Sequence, residues 1–169
     1  SARGIANGLK EIGADPSGLA AICLSHEHDD HCRGLRVFHG KFGTPLYANF
    51  GTVEALRRSS VLQHLPWNVF TTGQPFTVGD LVIQAFPVPH DAFEPVGFVV
   101  SSGSDRVGIA TDVGIPTELL RQRLRGCRLV AIEANHDDQL LQDVHQISLL
   151  LQGCSIFQQN RYLHLWRLS

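Results

Sequence analysis

Leu24-Ser25-His26-Glu27-His28-Asp29-Asp30-His31 ends a short apolar run, residues 19–24, with three imidazoles and three carboxylates in six consecutive positions. Neighbouring carboxylates repel one another, so the string is unfavourable by itself. A divalent cation reverses the sign of that interaction. Neutral imidazole and carboxylate are the natural ligands of zinc and related ions. Two histidines spaced i, i+2 can reach one ion from a tight loop, and Asp30 with His31 can reach a second. The bland alternative is a solvated polar loop. An HxHxDH pattern directly after an apolar strand is specific enough to favour metal.

Such a site needs more ligands than one loop supplies. Working outward, polar clusters recur at the ends of apolar strands: at 25–31, at 90–91, at 111–112 and at 135–138. Strand ends are where loops build sites. His90 follows a long strand pattern in Val88-Pro89-His90-Asp91, and its bland reading is a surface turn. Asp112 follows Val107-Gly108-Ile109-Ala110-Thr111, and its bland reading is a helix cap ahead of Pro116. Taken with the loop, they offer a third nitrogen and a bridging carboxylate.

Periodicity supplies a frame around these points. Residues 3–12 place Ile5, Leu9 and Ile12 on one helical face. Residues 19–24 read as a buried strand. Residues 32–42 read as a helix with Leu35, Phe38 and Phe42 inward, starting near Cys32 with its positive end toward the loop. A small strand at 45–48 and a helix at 51–64 follow. Strands are predicted at 67–71, 81–88, 95–101 and 106–111, a helix at 116–124 with Pro116 in its first turn, and a buried strand at 129–134. Strand meanders mixed with strand–helix alternation exclude a simple doubly wound sheet.

The 169 residues suit one domain, 1–169. Hydrophobic residues at 43% and charged residues at 18% allow a buried core. A net charge of -2 argues against a surface coated for nucleic acid, while leaving a local basic patch possible. Arg57, Arg58, Arg121, Arg123 and Arg125 are candidates for such a patch, although arginines on helices usually form solvated faces. No apolar run approaches the roughly 20 residues that cross a bilayer, so no membrane association is expected. Cys23, Cys32, Cys127 and Cys154 are scattered, which suits reduced thiols in the cytoplasm. There is no methionine, even at position 1, so further structure is expected before Ser1.

SHEHDDH resembles the signature of the metallo-β-lactamase superfamily. The wider run LKEIGADPSGLAAICLSHEHDDHCRGL, with VPHDAFEPVGFVV, IATDVG and LVAIEANHD, resembles its YycJ/WalJ-like group over about residues 9–138. The resemblance implies an α/β (α+β) chain forming an αββα sandwich, here incomplete. It implies that two divalent ions, zinc or manganese, sit at the sheet edges. His26, His28 and His90 would hold one, Asp30 and His31 the other, and Asp112 would bridge them. It implies His136 as proton donor or phosphate contact, and Asp30 as the group orienting the attacking water. The family's Gly-His-Leu-Ser stretch, whose histidine completes the second centre, has no counterpart. Residues 139–169 instead read as an aberrant, divergent or frameshifted tail, in which His164 is a candidate last ligand and His145 a further one. The implied activity is phosphodiester hydrolysis, including exonuclease action on nucleic acid, by water activated at the metals. A thioesterase of the same superfamily, or a metal-binding fragment without catalysis, are the alternatives.

Overall fold

The structure, a computed structural model, describes residues 1–58, 62–115 and 117–133, and the backbone of two further strands at 155–158 and 164–166. The chain divides into two compact units. Unit 1 comprises Ser1–Thr71 and the short segment Ala92–Glu94; unit 2 comprises Thr72–Asp91 and Pro95–Ser169.

Unit 1 holds a parallel sheet in the order β1 (Ile22–Cys23), β2 (Leu46–Asn49), β3 (Trp67–Phe70). Four helices belong to it: α1 (Ala2–Glu11), α2 (Asp29–Cys32), α3 (Leu35–Phe42) and α4 (Phe50–Leu56). Its core joins Leu24, Cys32, Leu35, Leu46, Ala48, Val53, Leu56 and Leu62, with Ile22, Leu65 and Trp67 packed alongside. Parallel strands leave backbone groups that only neighbours and crossover helices can cover, so this small sheet needs its helices.

Several expectations shift here. The strand expected over 19–24 is only two residues long. Its Ile22 and Leu24 amides bond across to Pro45 and Tyr47 carbonyls. The helix expected over 32–42 is two helices, and Cys32 ends the first instead of starting the second. The reason is local. His28 sits in an extended conformation as N-cap, and Asp29 and Asp30 occupy a first helical turn, where acidic side chains are favoured. The helix end facing the loop is thus the four-residue α2, which is too short to act as an anion-binding helix end. In α3, Leu35 and Phe38 are buried as expected; Phe42 is half-buried, its ring 4.7 Å from that of Phe38. In α1, Ile5 and Ile12 are 42% and 78% exposed, so the amphipathic stripe forms a helix without entering a core.

Unit 2 holds a seven-stranded sheet in the order β10-β9-β8-β7-β6-β5-β4. Its strands are β4 (Pro75–Val78), β5 (Leu81–Pro87), β6 (Val96–Ser102), β7 (Asp105–Ala110), β8 (Leu129–Ile132), β9 (Ser155–Gln158) and β10 (His164–Trp166), with α5 (Glu118–Leu124) crossing from β7 to β8. Strands β4 to β7 form an antiparallel meander, β7, β8 and β9 run parallel, and β10 returns antiparallel. Phe86, Val88, Val99, Ala110, Val113, Leu120, Leu124, Cys127, Val130 and Ile132 make the core. Gly108 admits α5: a Cβ there would lie 2.4 Å from Leu124 Cδ2. Helix α5 is capped by the Thr117 side chain, which accepts the Leu120 N–H at 3.1 Å. The cap is therefore not Asp112. Strand β4, absent from the sequence reading, is short and has one buried residue, Val78.

Candidate metal centre

The HEHDDH string is held in unit 1 by its own backbone. The His31 and Cys32 amides both donate to the His28 carbonyl, at 3.0 and 3.1 Å, and Arg33 donates to Asp29 at 2.8 Å. The Cys32 thiol donates to the Glu27 carbonyl at 3.2 Å. These bonds curl the string and bring three rings together. His26 lies 4.7 Å from His28 in an edge-on arrangement and 4.2 Å from His31, centroid to centroid. Nitrogens of His26 approach those of His28 and of His31 within 4.8 Å.

His26 is 1% exposed and its Nδ1 lies 3.1 Å from the Ser25 hydroxyl. That contact fixes the ring, as the outer partners of ligating histidines do. His31 Nε2 lies 3.6 Å from Asp30 Oδ2, and the Asp30 side chain is 70% exposed. Two imidazoles crowded against a buried third, with a carboxylate at the rim, form a donor set that fits a divalent ion of the zinc type.

In unit 2 the other two predicted residues share one edge of the sheet. Strands β5, β7 and β8 all run in the same direction, so the residues that follow them emerge together. The Gly114 N–H donates to the Pro89 carbonyl at 2.9 Å, and Val113 donates to Glu133 at 3.0 Å. These two bonds tie together the segments that follow the three strands. A Cβ on Gly114 would lie 3.0 Å from the Pro89 oxygen, so this close approach favours glycine. His90 Nδ1 faces Asp91 Oδ1 at 3.3 Å, and the His90 side chain is 18% exposed. Asp112 has φ 53 and is the one non-glycine residue with positive φ among the described residues. Left-handed backbone in a non-glycine residue is stored strain, and such residues concentrate at functional positions.

His164 opens β10 opposite Gln158, and Gln158 is paired with Ile132, itself paired with Ala110. The register therefore puts the His164 backbone at the same edge as the ends of β7 and β8. His136 and His145 lie outside the described residues, as does Cys154.

The chain matches the model of the β-lactamase superfamily domain over residues 6–157. It belongs to the metallo-β-lactamase superfamily. It is 33% identical over 144 residues to the exodeoxyribonuclease WalJ of Streptococcus pneumoniae, covering 83% of this chain and 54% of that protein. It is 29% identical over 136 residues to the exodeoxyribonuclease YycJ of Bacillus anthracis, covering 79% and 51%. The chain thus spans about half the length of these curated relatives. Among solved structures, a diphosphatase of the PhnP family matches with a TM-score of 0.66 at 21% identity, over 83% of this chain and 59% of that one. The relatives are thus named exonucleases and metallohydrolases, and the superfamily resemblance read from the sequence holds.

Three supporting residues escaped the sequence reading: Ser25, Glu27 and Asp91. Each is the direct neighbour of a predicted ligand, and adjacency was the signal available. Of the candidate basic residues, Arg57 pairs with Glu54 and Arg121 lies 3.8 Å from Glu118. No helix among the described residues is long and apolar enough to cross a membrane.

Proposed function

We propose that this chain carries the centre of a metal-dependent phosphodiesterase that removes nucleotides from nucleic acid. The observation that carries the proposal is the packing of the His28 and His31 rings against the buried His26 imidazole. Its donor chemistry has no simple use without a cation. The similarity to two exodeoxyribonucleases supports nucleic acid as the substrate class.

In this reading His26, His28 and His90 would hold one divalent ion and Asp30 and His31 a second, with Asp112 as a carboxylate available to both. The superfamily membership supports His90 as a partner of the loop. The edge position of the His164 backbone supports it as a further ligand. When bound, two such ions bring the pKa of water toward about 7 and offset charge on phosphoryl oxygens. Zinc suits the nitrogen-rich set, and manganese is the alternative.

The residues then have separable tasks. Ser25 and Asp91 orient the His26 and His90 rings. Asp30, at the exposed rim, orients the attacking water and accepts its proton. His136, three residues beyond Glu133 in the chain, is assigned as donor to the leaving oxygen. The free thiols of Cys23, Cys32 and Cys127 suit work in the cytoplasm.

The test is metal content followed by turnover. Two equivalents of zinc or manganese per chain are expected, with hydrolysis of bis(p-nitrophenyl) phosphate and of end-labelled DNA. His28→Ala is expected to lower both rates by about a thousandfold, because one ion is lost. One equivalent or none would reduce the chain to a metal-binding fragment. A His28→Ala variant as fast as wild type would remove the proposed centre.

A further inference from the structure

Phe93 is 60% exposed, and neither core accounts for it. The segment that bears it is firmly held. The Phe93 N–H donates to Glu27 Oε1 at 2.8 Å, and the Gly51 N–H donates to Glu94 Oε2 at 2.8 Å. Asn49, itself fully buried, donates from Nδ2 to the Glu94 carbonyl at 2.7 Å. Gly51 sits so close that a Cβ there would lie 3.1 Å from Phe93 Cδ1. The Arg58 guanidinium stands 5.9 Å from the centre of the Phe93 ring. All of these contacts lie within unit 1.

An apolar ring on a segment anchored by three hydrogen bonds, 60% exposed and with a guanidinium over it, suits a flat ligand bearing negative charge. Its nearest polar anchor is Glu27, which lies between His26 and His28. Nucleobases stack on aromatic faces whatever their sequence, and arginine follows the backbone charge. A protein partner would call for a wider contiguous apolar patch than one ring beside a guanidinium. We infer that Phe93 is a stacking platform for a base of single-stranded nucleic acid, with Arg58 pairing the adjoining phosphate. The inference rests on the nuclease reading above and assigns the surface that would hold the strand.

The test is fluorescence anisotropy of a labelled oligothymidine with the whole chain in EDTA, so that no cleavage intervenes. Phe93→Ala is expected to weaken binding by about tenfold. Phe93→Leu, apolar but without a π face, is expected to lose as much, whereas Phe93→Trp keeps wild-type affinity. Arg58→Ala is expected to lower the salt slope of binding by about 0.7, the loss of one phosphate contact on a single strand. Ile12→Ala, exposed at the end of α1, serves as a control that binds as wild type. If Phe93→Ala melts early, the Leu and Trp variants carry the decision. Wild-type affinity in Phe93→Leu would overturn the platform. Metal-dependent hydrolysis of bis(p-nitrophenyl) phosphate by the wild type tests the nuclease reading separately. Hydrolysis with normal Phe93→Leu binding removes only the platform; no hydrolysis with weakened Phe93→Leu binding removes only the catalysis.

Discussion

In unit 1 the chemistry lies in consecutive residues, His26 to His31, folded on themselves by turn bonds. In unit 2 it is divided between His90 and Asp112, which are separated in the chain by β6 and β7. The first arrangement depends on local hydrogen bonds and a short sheet. The second depends on two strands running in the same direction and on a glycine that lets their following segments meet. A contiguous ligand string thus tolerates a small scaffold, and a divided one needs a large sheet to bring its members to one edge.

The comparison breaks most directly at the ligands themselves. Asp112→Asn retains a residue that tolerates left-handed backbone but removes the charge proposed to be shared between the ions. Its phosphodiesterase rate is expected to fall by about a hundredfold or more, with an unchanged melting temperature. Asp112→Gly relieves the positive φ and is expected to raise apo-protein stability by up to about 1 kcal/mol while losing the same activity. Equal activity in the two variants and wild type would leave unit 2 without a functional role.

A smaller effect sharpens the contrast in scaffolding. Gly114→Ala forces its Cβ to 3.0 Å from the Pro89 carbonyl, so the His90 and Asp112 segments must part. A loss of about 1–3 kcal/mol in denaturant stability is expected, together with weaker metal retention on dialysis. No glycine in the HEHDDH string plays this part, so the same measurement isolates what unit 2 needs and unit 1 does not.

The smallest effect belongs to the thiols. Burial pushes the Cys23 thiol up to about 11, and burial with the Asp29 charge does the same for Cys32. The folded values lie above the ordinary 9.0, so folding favours the neutral thiols. That contribution is fully present below pH 9 and is lost as pH rises toward 11. Alkylation by iodoacetamide is therefore expected to stay slow at neutral pH. The denaturation midpoint of wild type should fall further over that alkaline window than that of Cys23→Ala.

Helix and strand positions were legible where apolar spacing was regular, as in β5, β6, β7 and α5. Boundaries failed where side-chain chemistry overrode spacing. The aspartates after His28 nucleate a turn of helix ahead of Cys32, and periodicity counts only apolar residues. β4 was missed because Pro75–Val78 is too short and too exposed to show alternation. The capping role imagined for Asp112 went to Thr117, since a residue next to the helix reaches its free amides and one five positions earlier does not.

The sequence by itself determined the candidate ligand types, the superfamily resemblance and the HEHDDH string, because donor chemistry at consecutive positions needs no long-range information. Tertiary structure decided the contacts of the candidate ligands and their loop: Ser25 on His26, Asp91 on His90, and Phe93 on Glu27. It also decided that Asp112 sits in left-handed backbone and that β5, β7 and β8 end at one edge. Those facts follow from strand direction and close backbone approach, which a linear pattern does not encode.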